Sequence, residues 1–158
     1  MVRKLGLEQI FEVFQAREAV EGMAARLACS KSDESFRSTL REIMDMLNKL
    51  DAEIDPTQGS ALGRKLHGAI VEAARNGIMV DIYEKLKNLS ILTSNMTRKS
   101  PAIEGVSKEA HLKLINALLE QNEEKSEQLM REHLRDTCRQ IVEQFYPNML
   151  GVASNNKS

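Results

Sequence analysis

The sequence is poor in the residues that mark secreted, membrane-spanning or nucleic-acid-binding proteins. Tryptophan is absent and aromatic residues make up 4% of the 158 positions. The two cysteines, Cys29 and Cys138, lie far apart inside apolar helical patterns, which favours reduced, buried thiols in a cytoplasmic protein. No apolar run approaches a membrane span, and the N-terminus lacks the apolar core of a signal peptide. The net charge of -1 provides no bulk attraction to nucleic acid or anionic membrane.

With so few aromatic residues, the core must consist of leucine, isoleucine, methionine and alanine, as in a helical bundle. Apolar residues recur with a period of about 3.6, whereas alternation typical of strands never persists. We therefore predict an all-α fold, a compact antiparallel bundle of six to seven helices. The length fits one domain, predicted over residues 7–147, with a linker stub at 1–6 and a disordered tail at 148–158.

Capping residues and helix breakers predict where the helices begin and end. Candidate N-caps are Ser32 or Asp33 for the second helix, Asp55 for the third and Asn122 for the last, and Asp55 is followed by a proline suited to the first helical turn. The segment 97–106 contains Ser-Pro and Gly and is predicted to be a loop, with Ser107 capping the helix that follows. The predicted helices cover about 7–28, 33–50, 56–76, 78–96, 107–119 and 123–145.

The chain has only three histidines, and each falls inside an apolar stripe of a different predicted helix. Any one of them alone is more often a core residue whose nitrogens are satisfied by hydrogen bonds. Three together, with none on a polar face, favour a metal or ligand site, provided that their helices pack against one another. Imidazole nitrogen is a common ligand for zinc, nickel, iron and copper. The stripes are Gly63, His67, Ile70, Val71 and Ala74; His111, Ile115 and Leu118; and Met130, His133, Leu134, Thr137 and Ile141.

Four segments in order, each carrying a histidine or an arginine, resemble the FCD effector-binding domain of GntR-type transcription regulators of the FadR subfamily. The resemblance extends from about Ile10 to Phe145 and implies an all-helical bundle. The matching segments are Ala16-Arg17-Glu18-Ala19-Val20-Glu21 with Ala24-Ala25-Arg26-Leu27-Ala28, Leu66-His67 with Glu72-Ala73-Ala74-Arg75-Asn76, Glu109-Ala110-His111 with Ile115, Ala117 and Leu118, and the segment 127–134 that ends in His133-Leu134.

The resemblance implies a metal held by one aspartate and three histidines, which here would be His67, His111 and His133. The family's aspartate lies four residues before the first histidine, where this chain has Gly63. Three interpretations stay open. Water or effector oxygen completes the shell of a divalent metal, with zinc or nickel favoured; another carboxylate, such as Asp55 or Glu109, moves in; or the histidines bind an anionic effector without metal.

The resemblance also implies a small carboxylate effector bound at or beside the metal. Arg17 occupies the position of the family's first-helix arginine and is predicted to bind an effector carboxylate through a bidentate pair. The competing interpretation is an ion pair with Glu21, one helical turn further on. Asn95 and Arg98 are further candidates for effector contacts.

The family's regulators bind DNA through a winged helix-turn-helix, and too few residues precede the first predicted helix to form one. We therefore expect no DNA-binding element here, and the chain is either a fragment of a longer regulator or a stand-alone sensor. The resemblance implies a homodimer and a role that is not enzymatic. Two alternatives are a metal-dependent hydrolase or lyase with a three-histidine site, which would need a general base, and a structural helical interaction module.

Overall fold

A computed structural model describes residues 6–51, 54–96 and 101–148 of the chain, with side-chain surroundings described outside 91–96, 101, 102 and 104. These residues form helices and connecting turns, with no strand among them, as predicted. None of the described helices is long and apolar enough to cross a membrane. The helices are α1 (Leu7–Ser30), α2 (Glu34–Lys49), α3 (Pro56–Ala73), α4 (Gly77–Met96), α5 (Pro101–Leu119) and α6 (Glu123–Phe145).

Polar side chains cap the helices at the predicted positions. The Asp33 carboxylate accepts a hydrogen bond from the Phe36 amide at 2.8 Å, and Asp55 and Asn122 cap α3 and α6 in the same way. Each cap satisfies one of the amide groups that the first turn of a helix leaves without an intrahelical partner. The Asn76 side chain likewise accepts from the amides of residues 78 and 79 at the start of α4.

The predicted boundary of α5 is wrong. The helix begins at Pro101, six residues before the predicted cap at Ser107, so part of the predicted loop at 97–106 is helical. Proline lacks the amide hydrogen that a first helical turn leaves unused, and it therefore starts a helix as readily as it marks a loop. Ser107 lies in the helix interior and is buried, and Ile103 before it is buried as well.

The helices surround one apolar core, with α1 packed most extensively against α6. Helix α3 contacts α1, α2 and α5, and α5 in turn contacts α6. Helix α5 therefore contacts both of the other helices that carry histidines, and all three contact α1. The largest fully buried apolar side chains are Ile10, Leu40, Ile43, Leu47, Leu66, Ile70, Leu114, Ile115, Leu118, Met130 and Leu134.

Several arginine–carboxylate pairs tie α1 to α6 at the surface. Arg26 bonds Glu127 at 2.5 Å, and Arg135 bonds the carboxylate of Glu18. Arg131 donates to the backbone oxygen of Glu18 at 3.1 Å. These contacts join the two long helices along the surface.

Both cysteines are buried and unbridged, in agreement with the sequence prediction. The Sγ atom of Cys29 lies 3.8 Å from the hydroxyl of Ser126. Most of the predicted linker stub and disordered tail, residues 1–5 and 149–158, lies outside the described residues.

Candidate metal centre

Each histidine is delivered to the interior by the apolar face of its own helix. His67 on α3, His111 on α5 and His133 on α6 are 4%, 5% and 8% exposed. The period of the apolar residues in each helix directs these three faces toward the common core, so the imidazoles are buried along with their neighbours.

The three imidazoles meet through their Nε2 atoms. His111 Nε2 lies 3.2 Å from His67 Nε2 and 3.0 Å from His133 Nε2. The ring centroids are 4.4–5.3 Å apart, with the rings steeply inclined to one another. Three nitrogens on different helices therefore point at one small volume.

This donor set fits a tetrahedral transition-metal ion. With metal–nitrogen bonds of about 2.0–2.1 Å, two ligand nitrogens in a tetrahedral site stand about 3.3 Å apart. The observed Nε2 separations of 3.0 and 3.2 Å are close to that value. One side of a four-coordinate ion would remain for water or another ligand. Among the described residues, the three histidines form the one group of metal-ligating side chains close enough to bind a single ion.

Gly63 is what allows the His111 ring to sit where it does. A Cβ atom added at position 63 would lie 2.7 Å from the Cε1 atom of His111, closer than real Cβ contacts. Gly63 is one turn before His67 on the same face of α3, and it is buried. The imidazole of His111 therefore fills the volume that a larger residue at position 63 would need. In this conformation the site has no room for a side chain such as aspartate at position 63.

A buried carboxylate lies directly behind His67. Glu21 on α1 has no exposed surface, and its Oε1 atom is 2.5 Å from His67 Nδ1. The sequence offers Glu21 only as the intrahelical partner of Arg17, and its contact with His67 was not predicted. The available signal was its position in the apolar face of α1, in line with the buried Phe14, Ala25 and Ala28.

Arg17 holds the other side of the same carboxylate. Its Nε atom lies 2.6 Å from Glu21 Oε2, and its guanidinium also lies above the Phe14 ring, 5.2 Å from the centroid. This is the ion pair that the sequence offered as one of two interpretations. The chain of contacts runs from Arg17 through Glu21 to His67 and then to the other two histidines.

Electrostatic interactions with Arg17 and His67 keep Glu21 ionised. Burial alone would raise the pKa of the Glu21 carboxyl, but the charge of Arg17 and the contact with His67 outweigh it and lower the pKa to about 2. Burial would likewise lower the pKa of Arg17, whereas Glu21 raises it above the usual value. Burial also raises the pKa of Tyr83, which lies near both groups. A carboxylate and a guanidinium are thus both charged inside the protein.

The other carboxylates considered from the sequence do not join the histidines. Asp55 caps α3 and is exposed, and Glu109 is exposed on α5. The carboxylates nearest to His133 along α6, Glu132 and Asp136, are exposed as well. The predicted effector residues Asn95 and Arg98 lie outside the residues whose side chains the structure describes.

Comparisons with known proteins agree with this architecture. The family model of the FCD domain matches residues 12–136. Two solved structures have the same fold, both of the FCD domain of TM0439, a candidate transcriptional regulator. Its metal-free form has 20% sequence identity and a TM-score of 0.74, and its Zn²⁺-bound form has 19% identity and a TM-score of 0.76. Each alignment covers 92% of this chain and 99% of the other. No curated protein sequence matches the chain.

Proposed function

The chain belongs to the FCD domain family, and we propose that it is the effector-sensing and dimerisation domain of a GntR-type transcription regulator of the FadR subfamily. It binds a small organic acid at or beside a divalent metal in the helical bundle. The observation that carries the proposal is the convergence of three buried histidine nitrogens from three helices. The relatedness to TM0439, whose FCD domain has been solved with and without Zn²⁺, supports the same class of site here.

The donor set favours a borderline transition metal, zinc or nickel, held by His67, His111 and His133. Neutral imidazoles suit these ions better than magnesium or calcium, which prefer oxygen ligands. The chemistry that a bound ion supplies is an electrophilic centre with positions open to ligand oxygen. Two of the three separations between these nitrogens, from His111 to His67 and to His133, are already close to tetrahedral spacing, and all three ligand atoms lie within 4.8 Å of one another.

The charge balance of this site favours an anionic effector. Three neutral imidazoles leave the charge of a divalent ion uncompensated, and the negative charge of Glu21 is matched by that of Arg17. The ion together with these residues therefore carries two positive charges in a buried place. A carboxylate that coordinates the metal offsets part of this charge, and interactions of that kind are strong where water is excluded. Arg17, and the predicted Asn95 and Arg98, are proposed as further effector contacts.

Effector binding acts by favouring one packing of the helices over another, which requires different affinities for the two arrangements. A homodimer would pass this change to winged helix-turn-helix domains that contact DNA, and a cytoplasmic location follows from that role. Helix α4 supports the dimer, because its exposed side carries an apolar stripe of Ile78, Ile82 and Leu89. Sedimentation at micromolar concentration tests this part, and a monomer there would contradict it.

The first test is elemental analysis of the protein purified without a histidine tag, beside the His111→Ala variant. About one zinc or nickel per chain is expected in the former and little in the latter. Isothermal titration then compares metal-loaded and metal-stripped protein against small mono-, hydroxy- and dicarboxylic acids. We expect binding that depends on the metal. No metal after loading with zinc or nickel, or no acid bound in either form, would contradict the corresponding half of the proposal.

The arrangement offers less to a metal-dependent hydrolase or lyase. Such an enzyme needs a placed general base. Among the described residues, the buried carboxylate beside the histidines is Glu21, and both of its oxygens are engaged by Arg17 and His67. The observations therefore favour a binding role over catalysis.

A further inference from the structure

We propose that Glu21 is the positioning residue of this centre: its carboxylate holds His67 in the Nδ1–H tautomer and so turns the Nε2 lone pair toward His111 and His133. The inference deepens the proposed function, because it concerns the same site, but its first readout does not need a metal. No ligand role is assigned to Glu21 itself. It acts through the imidazole that it contacts.

The hydrogen bond between Glu21 and His67 fixes which imidazole nitrogen carries the proton. An ionised carboxylate can only accept hydrogen bonds. Because Glu21 Oε1 lies 2.5 Å from His67 Nδ1, that nitrogen must carry the proton. In a neutral imidazole the other nitrogen, Nε2, then has a free lone pair, and it is Nε2 that points at His111. The contact at Nδ1 therefore leaves Nε2 as the nitrogen that can accept a hydrogen bond or bind a metal.

Glu21 is itself held in place from the opposite side by Arg17. Arg17 bonds both carboxylate oxygens, at 2.6 and 3.3 Å, from the turn before it on α1. This two-point contact fixes the plane of the carboxylate. Glu21 is fully buried, so water does not compete for its oxygens. The side chain therefore presents one oxygen to His67 in a single orientation.

The contact between Glu21 and His67 joins two different helices. Glu21 and His67 are 46 residues apart and belong to α1 and α3. Arg17 alone would satisfy the buried carboxylate of Glu21. A buried ion pair is also often no more stabilising than apolar residues of the same size, so stability does not account for the pair. The additional contact with His67 gives this buried pair a role at the histidines. Partners of this kind typically change metal affinity by about 10–100-fold when removed.

The decisive variant is Glu21→Gln, with Glu18→Gln as its matched control. Glu18 is one turn away on the same helix and also bonds an arginine, Arg135, but this pair lies at the protein surface. Glutamine can turn its NH₂ group toward Nδ1 of His67 and so stabilise the opposite tautomer. The double variant Arg17→Met/Glu21→Gln guards against a simple folding failure, because it does not leave Arg17 buried and unpaired.

The first readout is the tautomer of His67 in metal-free protein, from long-range ¹H–¹⁵N correlation spectra. With only three histidines in the chain, His67 is assigned by comparison with His67→Gln. We expect Nδ1–H in the wild type and in Glu18→Gln, and a gain of Nε2–H in both variants at position 21. Wild-type His67 protonated at Nε2, or no change in the Glu21 variants, would overturn the proposal.

The second readout is zinc affinity, measured by competition with a chromophoric chelator. Both Glu21 variants should bind zinc about 10–100-fold more weakly than the wild type, and Glu18→Gln should match the wild type. Equal affinity in all four proteins would overturn the positioning role. A wild type that binds no zinc would contradict the proposed metal function, whereas the tautomer of His67 would still decide the inference about Glu21.

Discussion

Glu18 and Glu21 lie one turn apart on α1, and each carboxylate bonds an arginine, yet the two pairs have different surroundings. The Glu18 side chain keeps 19% of its surface exposed and its partner Arg135 keeps 56%. Glu21 has none exposed and its partner Arg17 has 16%. The first pair joins two helices at the surface. The second carries two charges into the core and ends at a histidine.

The difference shows what each pair contributes. An exposed pair replaces solvation by a similar interaction and adds little. A buried pair must replace the lost solvation completely, so each partner depends on the other. Such an arrangement is sensitive to change, and its contact with His67 links it to the histidine cluster. The buried pair is accordingly where we expect both stability and metal binding to respond most strongly.

The largest expected effect comes from removing one charge of the buried pair. Glu21→Gln leaves the Arg17 guanidinium buried without a counter-charge, which costs about 3–5 kcal/mol in the free energy of unfolding. Glu18→Gln should have a much smaller effect, because water can solvate Arg135. Urea unfolding of metal-free protein, followed by circular dichroism, measures both. Equal losses in the two variants would mean that the buried and exposed pairs do not differ as the structure indicates.

Helix α3 offers a second comparison, between Gly63 inside the site and Gly68 outside it. Gly63→Ala places a Cβ atom 2.7 Å from His111, and overpacking of this kind typically costs about 1–3 kcal/mol. Gly68→Ala is the matched control, because a Cβ atom there meets nothing within 4 Å. The control should gain up to about 1 kcal/mol, since alanine favours helix over glycine.

Thermal unfolding and zinc titration of the two glycine variants separate packing from helix propensity. We expect weaker zinc binding in Gly63→Ala, because the His111 ring must move, and unchanged binding in Gly68→Ala. If Gly63→Ala were as stable as Gly68→Ala and bound zinc equally well, the close approach of His111 to position 63 would not matter for the site.

The smallest effect is the response of the two acids to salt. At 1 M ionic strength the Debye length is about 3 Å, so exposed pairs are largely screened whereas buried pairs are screened much less. The destabilisation caused by Glu18→Gln should therefore shrink toward zero in 1 M NaCl. That caused by Glu21→Gln should keep most of its size. Unfolding of the variants at low and high salt gives the comparison, and parallel screening of both would argue that water reaches Glu21.

The helical pattern of the chain was largely predictable because it is local. The caps at Asp33, Asp55 and Asn122 are short-range contacts between a side chain and an amide three residues away. The start of α5 was not predictable in the same way. Pro101 is compatible with a loop and with a first helical turn, and Ser107 looks like a cap when only its neighbours along the chain are considered. Burial of Ile103 and Ser107 accompanies the helical outcome.

The candidate site was also predictable only in part, in its local features and not in its contacts between helices. That each histidine lies on a buried face follows from apolar periodicity, and the pairing of Arg17 with Glu21 follows from their spacing of four residues. The second contact of Glu21, with His67, does not follow from the sequence. Its partner His67 is 46 residues away, and nothing in the spacing along α1 distinguishes Glu21 from Glu18.

The sequence by itself determined which face of each helix is buried, because that depends on residues three and four positions apart. It also determined that the buried faces of α3, α5 and α6 each carry an imidazole. Only the tertiary structure decided that the three Nε2 atoms converge, that the ring of His111 lies against Gly63, and that Glu21 holds His67 from behind. The physical reason is that distances between helices depend on how all of their side chains interdigitate, which no single segment specifies.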